Sequence, residues 1–370
     1  MAEEKIPEKH LPSDPAQFPI VWTYELLKYL RSKRLYAAIA LVVAVLALIY
    51  LLPPALGHPY KGTDTNAYVS VTPLPQPIVF QGKDVYAFGL VNRSNLDPAT
   101  LVLYRDGIPF PSDNGANWVF APSLSLNGVS IPANAILFTS SVTGYTFTAT
   151  YDWSVSTENF ASRFAGFVNF LVIICATFFG ADSIVSEYQN RTGYLIFPNP
   201  VKRSTLFFGK YAASITAGFM VILLFYAVVA ALSYVTLSGL DKGFGLSLAL
   251  AVEYLLAAIA VAYVISSVLR GSTGALVLTF FLFLLIFPII DGVGTFTNTK
   301  MSWSLTFSAG ALMDVLQHPY PVDTSQSVPG LGTVGVFYPS PETAAIVMAV
   351  WAIVAIALSL VMFRRKELLG

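Results

Sequence analysis

Six long apolar runs constrain this chain more than anything else in it: Leu35–Leu56, Phe164–Ala181, Leu206–Leu237, Phe244–Leu269, Thr273–Ile290 and Thr343–Phe363. A helix needs roughly 20 apolar residues to cross a bilayer, and each run approaches or exceeds that length. Only 11% of the 370 residues are charged, against about 25% in a soluble domain. The runs therefore predict a polytopic α-helical membrane protein with six transmembrane helices. The third run is longer than a bilayer requires, so it should tilt or project from the membrane. Net charge is zero, so no nucleic-acid partner is suggested. The single cysteine, Cys175, lies within the second run, so no disulfide within the chain is possible. His10, His58 and His318 are far apart and show no metal-ligand spacing. No catalytic, cofactor-binding or metal-binding residue is expected.

Basic residues set the orientation. Placing both termini on the cytoplasmic side puts 14 Lys and Arg inside and 7 outside, the sense of the positive-inside rule. Residues 1–19 are charged and proline-rich and read as a disordered cytoplasmic tail, with no apolar signal-peptide core. In Ile20–Arg34, Ile20, Val21, Tyr24, Leu27 and Leu30 recur at helical spacing, and Thr23, Glu25, Lys28 and Ser32 take the other side. This is either an amphipathic helix in the lipid interface, anchored by Arg31, Lys33 and Arg34, or an extension of the first span. Segment 20–56 holds this helix and that span.

Segment 57–162 has no spanning run. Short β-type stretches, such as the alternating Thr146–Tyr151, are separated by turn signals such as Arg105-Asp106-Gly107. The expectation is an inserted extracellular all-β domain, sandwich-like, between the first two spans. Asn92-Arg93-Ser94 makes Asn92 a glycosylation candidate. The rest, 163–370, is the transmembrane domain with an outer loop at 291–341, in which Trp303–Leu316 is apolar enough to dip into the membrane or pack on the spans. Within spans, Asn169 and Glu253 are polar. Glu253 faces either a translocation path or subunit contact, or is paired with a backbone or Tyr partner near the interface, or is protonated. Asn169 fits an interhelical hydrogen bond or a path-lining role. Asp152, Asp291 and Asp314 form no acid pair and default to solvated surface.

Between the second and third spans lies a polar island, 182–210. The turn Arg270-Gly271-Ser272 shows how few residues a hairpin here needs, yet the island spends about two dozen. Pro198-Asn199-Pro200 forbids helix, Ser204 is a plausible N-cap for the third span, and Tyr194-Leu195-Ile196-Phe197 puts four apolar residues on the water side. An apolar tip there either docks on a cytoplasmic partner or lies against lipid headgroups and helix ends.

The order Ser186-Glu187, Arg191-Thr192-Gly193, Pro200-Val201-x-Arg203 and Gly209-Lys210 resembles the permeases of the ABC-2 type exporter family, which carry S-x-E, G-T, P-V-x-R and G-K between the same spans. In this chain the Gly-Thr pair stands inverted. The helix before the first span resembles the family's elbow helix, and Phe363–Leu368 resembles its carboxyl end. The resemblance implies a permease subunit in the plasma membrane, working as a dimer with a second copy or homologue. It implies a coupling segment, 182–205, that seats on a cytoplasmic ABC ATPase through Glu187, Arg191, Thr192, Gly193, Tyr194, Leu195, Ile196, Phe197, Pro200 and Arg203. The chain contains no Walker A loop. ATP and Mg would therefore be bound by the partner subunit and no cofactor by this chain. Two readings compete. An ion-coupled transporter would use Glu253 as relay, and a membrane-anchored receptor or adhesin would act through the β domain.

Overall fold

The structure, a computed structural model, describes residues 14–91, 96–121, 124–126, 129–131, 135–140, 142–189, 203–328 and 332–365. Six of its helices are long and apolar enough to cross a membrane. In chain order the helices are α1 (Asp14–Leu30), α2 (Lys33–Ala55), α3 (Thr157–Cys175), α4 (Val185–Gln189), α5 (Arg203–Leu237), α6 (Phe244–Val268), α7 (Ser272–Phe281), α8 (Phe287–Phe296), α9 (Leu305–Ala309), α10 (Ala311–Asp314) and α11 (Pro341–Arg365). A π turn, Ala176–Ala181, continues α3 toward α4, and another, Leu282–Ile286, joins α7 to α8 in one span, Ser272–Phe296.

The spans lie where the apolar runs place them, with differences at the ends. Helix α1 starts at Asp14, so 14–19 are helical rather than tail. The two N-terminal helices are separate, broken at Arg31-Ser32. The fifth span passes Ile290 and ends at Phe296. Pro288 lacks an N–H, which ordinarily interrupts a helix. Here it sits just after the π turn, where the helical hydrogen-bond register is already shifted. Ser204 is not a cap, because α5 begins at Arg203 and the Ser204 hydroxyl accepts from Arg364 Nη2 at 2.6 Å.

The chain divides into two compact units. The helical unit comprises Met1–Tyr50, Glu158–Tyr234 and Gly239–Gly370. Its centre is α6, whose Ala257, Ala258, Ala260 and Ala262 are all buried. Small side chains allow close helix approach: a Cβ at Gly180 would stand 2.8 Å from that of Ala262. By contrast α2, α7–α8 and α11 expose apolar side chains such as Leu51, Val277, Phe281, Ile346 and Ile353, as lipid-facing helices do. In the 291–341 segment, the apolar stretch packs on the spans. Leu305, Ala309 and Leu312 are buried, Ser247 Oγ donates to Leu312 O at 2.6 Å, and Trp351 Nε1 donates to Trp303 O at 2.9 Å. Asp314, expected on solvated surface, is buried with them because α10 packs against the start of α6. A hairpin, Thr324–Val328 with Gly332–Val336, follows.

The second unit, Leu51–Thr157 with Val235–Ser238, is β-rich and lies between the first two spans in sequence. One sheet orders β1 (Lys61–Tyr68), β10 (Phe147–Ser154), β4 (Val102–Arg105) and β5 (Ile108–Pro109). The other orders β2 (Ser70–Phe80), β3 (Lys83–Leu90), β9 (Ala135–Phe138) and β6 (Trp118–Ala121), with a small hairpin of β7 (Leu124–Leu126) and β8 (Val129–Ile131) beside them. All pairings are antiparallel. Val69, Ala87, Trp118, Ile136 and Phe138 share one apolar core with Leu103, Phe147, Ala149 and Tyr151, so the sheets pack face to face as a sandwich. Asn92 lies outside the described residues.

Candidate functional site

Buried polar side chains of the helical unit, among them Glu25, Glu187, Lys210 and Ser214, converge where α1, the α3–α4 extension and the start of α5 meet. Helix α1 determines the arrangement. Its apolar residues Ile20, Tyr24 and Leu27 are exposed, whereas Glu25 and Tyr29, one turn apart, are buried. The face read as the water side is therefore, at Glu25, the face turned to the bundle. Lipid accepts the apolar stripe, and buried polar partners accept the rest.

Those partners are charged. Lys210 Nζ lies 2.5 Å from Glu25 Oε1 and 2.8 Å from Glu187 Oε1. Lys28 Nζ, half-exposed, lies 3.4 Å from Glu187 Oε1 and 3.7 Å from Glu25 Oε2. Two acids and two bases make a neutral quartet across α1, α4 and α5. Its Lys210 ammonium is almost wholly enclosed, at 2% exposure, which is tolerable only with both carboxylates in place. Gly209 has a separate task. A Cβ there would stand 2.6 Å from Val21 Cγ1, so only glycine lets α1 approach α5 closely enough for the lysine to reach Glu25. Trp22 Nε1 donates to Thr216 Oγ1 at 3.1 Å and fixes the same contact.

Beneath the quartet runs a chain of hydroxyls. Tyr29 donates to Phe179 O at 2.9 Å and lies 3.0 Å from Ser214 Oγ; Ser214 lies 2.8 Å from Tyr263 OH, and Tyr263 2.6 Å from Ser183 Oγ. The Phe179 carbonyl can accept from side chains because it belongs to the π turn. Burial holds the Tyr29 phenol above its ordinary range despite the Ser183 and Ser214 hydroxyls, so it remains a proton donor. Ser266 Oγ of α6 accepts from the backbone N–H of Ile184 and Val185, at 3.1 and 3.0 Å, and so caps α4 from another helix. Asp182 takes Arg34 Nη1 at 2.5 Å on one oxygen and the Ser272 hydroxyl on the other. Gln189 Oε1 accepts from Ser272 N at 2.8 Å. The described residues leading into the island are thus tied to α1, α2, α5, α6 and the Arg270–Ser272 turn.

Of the residues singled out from sequence, Glu187 lies in this network. Arg203 lies elsewhere, donating to Arg364 O at 3.0 Å. Arg191, Thr192, Gly193, Tyr194, Leu195, Ile196, Phe197 and Pro200 lie outside the described residues. Asn169 Oδ1 is buried and has no hydrogen-bond partner among the described residues. Glu253 is half-buried. Asp291, expected on solvated surface, holds Thr306 Oγ1 at 2.5 Å with one oxygen, and its other oxygen is buried. Among the described residues no cluster of His, Cys, Asp or Glu could hold a metal. Sequence reasoning missed Glu25, Tyr29, Lys210, Ser214 and Tyr263 as a set. The i, i+4 spacing of Glu25 with Tyr29 and of Lys210 with Ser214 was the available signal.

Over residues 20–368 the chain matches the family model described as ABC-2 family transporter protein. No curated protein matches the chain.

Proposed function

The chain belongs to the ABC-2 transporter family, and from that premise we propose that this multi-pass membrane protein is the permease subunit of an ATP-driven exporter. A separate cytoplasmic ABC ATPase supplies the energy and binds the ATP and Mg, and a second permease copy or homologue completes the path. Both termini and the 182–205 segment face the cytoplasm, and the β unit faces outside. The segment seats on the ATPase through its apolar tip Tyr194–Phe197, flanked by Glu187, Arg191, Thr192, Gly193, Pro200 and Arg203.

The observation that carries this reading is the tethering of Glu187 to Lys210, which also pairs with Glu25. The residues leading into the expected docking segment are bonded to α1 and to the start of the third span. A push on that segment therefore moves three helices together. An ion relay through Glu253 or a simple β-domain anchor would not call for a buried charge quartet at that position. Asn169, whose buried oxygen has no hydrogen-bond partner among the described residues, and Glu253 are the polar groups assigned to the path or a subunit contact.

Copurification in detergent tests the reading. The full-length protein should retain a nucleotide-binding protein carrying a Walker A loop, and Phe197→Asp should release it while the helices remain folded. A partner retained equally by the variant would remove the docking assignment. Phe197 is preferred over Arg203 for this test, because Arg203 also bonds the end of α11.

A further inference from the structure

A cleft of about 400 Å³ opens beside the quartet, lined by Tyr24, Lys28, Ser32, Arg34, Asp182 and Ser186 with the edges of Glu25, Tyr29, Ser183 and Glu187. Its charges are sorted by depth. The carboxylates lie inside, with side-chain exposures of 5% for Glu25, 9% for Glu187 and 14% for Asp182. They are engaged there by Lys210, Arg34 and Ser272. The cations lie at the mouth, with Lys28 at 52% and Arg34 at 40%. Lys28 holds its acids only at 3.4 and 3.7 Å, long for a charge-assisted bond. Arg31 and Lys33 add two exposed positive charges on the connection above. The cleft thus presents positive charge and hydroxyls outward and keeps negative charge within.

Its position narrows the ligand. The cleft lies where α1 turns an apolar stripe of Ile20, Tyr24 and Leu27 outward and where the first span begins, which is the depth of lipid headgroups. Basic pockets between helices at that depth attract anionic headgroups. We infer that the cleft holds a phosphate group between Lys28 and Arg34, carried by an anionic phospholipid whose acyl chains lie along α1. The phosphate oxygens meet the two cations, and the Ser32 and Ser186 hydroxyls lie within the same cleft. A lipid bound there would lie against the helix that the quartet links to α4.

Native mass spectrometry of the full-length protein, released from bilayers mixing phosphatidylglycerol with phosphatidylcholine, tests this. Phosphatidylglycerol should be retained in preference, and Lys28→Gln and Arg34→Gln should each lower its retention several-fold. Arg31→Gln and Lys33→Gln remove the same charge from the same connection without touching the cleft, and should leave retention unchanged. Equal loss in all four variants would show a diffuse basic surface and overturn the site, as would no loss in any. If Arg34→Gln does not fold, Lys28→Gln decides, since its contacts are long and its side chain half-exposed. Glycerol 3-phosphate offered without lipid separates the sources: failure to bind assigns the site to the lipid. Binding that displaces phosphatidylglycerol would keep the phosphate chemistry but overturn the lipid as its carrier.

Discussion

Lys210 concentrates the energetics of the quartet. Substituting Lys210→Met removes the 2.5 and 2.8 Å ion pairs of Glu25 and Glu187, which are buried at 5% and 9% exposure. Removing one partner of a buried ion pair costs about 3–5 kcal/mol, so the melting temperature of the solubilised protein should fall markedly. Adding Glu25→Gln and Glu187→Gln to Lys210→Met should recover most of the loss, because no buried charge then lacks a partner and Lys28, at 52% exposure, is left to solvent. Equal melting of the single and triple variants would show that the charges do not interact. Asp314 offers a second test at this scale. Burial pushes its carboxyl up from 3.8 to about 6. It binds a proton more tightly in the folded than in the unfolded state, so stability is lost as pH rises from about 4 to about 6 and stays lost above that. Asp314→Asn should therefore melt higher than the parent at neutral pH and flatten the dependence over that window. A variant that melts lower at neutral pH would mean that the charged form is stabilised by something else.

At the scale of elements, the spans and strands were legible and the special turns were not. Long apolar runs have few alternatives to membrane helices, and period-two alternation such as Thr146–Tyr151 led to β10. Helix α1 was legible as amphipathic, but the destination of its polar face was not: Glu25 reads as solvent-facing until Lys210 is brought to it by Gly209. That contact joins residues 185 positions apart, beyond the reach of any local pattern. The π turns were also hidden, since Ala176–Ala181 and Leu282–Ile286 look like ordinary apolar helix. The start of α4 depends on Ser266 from another helix. Ser266→Ala removes the acceptor of two N–H groups, a loss of about 1 kcal/mol for a cap. Peptides covering Asp182–Gln189 should then exchange backbone hydrogen faster, and unchanged exchange would mean that α4 is held without this cap.

For the whole molecule, the account rests on α1, α4 and α5 moving as one body at the end of the bundle where the expected docking segment is attached. The distance between spin labels at Tyr24 on α1 and Gln189 on α4 measures this directly in the full-length protein. The account predicts one narrow distance distribution, unchanged when the ATPase partner and ATP are added, and a broadened one in Lys210→Met. A distance in the parent protein that shifts with ATP would contradict it, because α1 and α4 would then be moving independently.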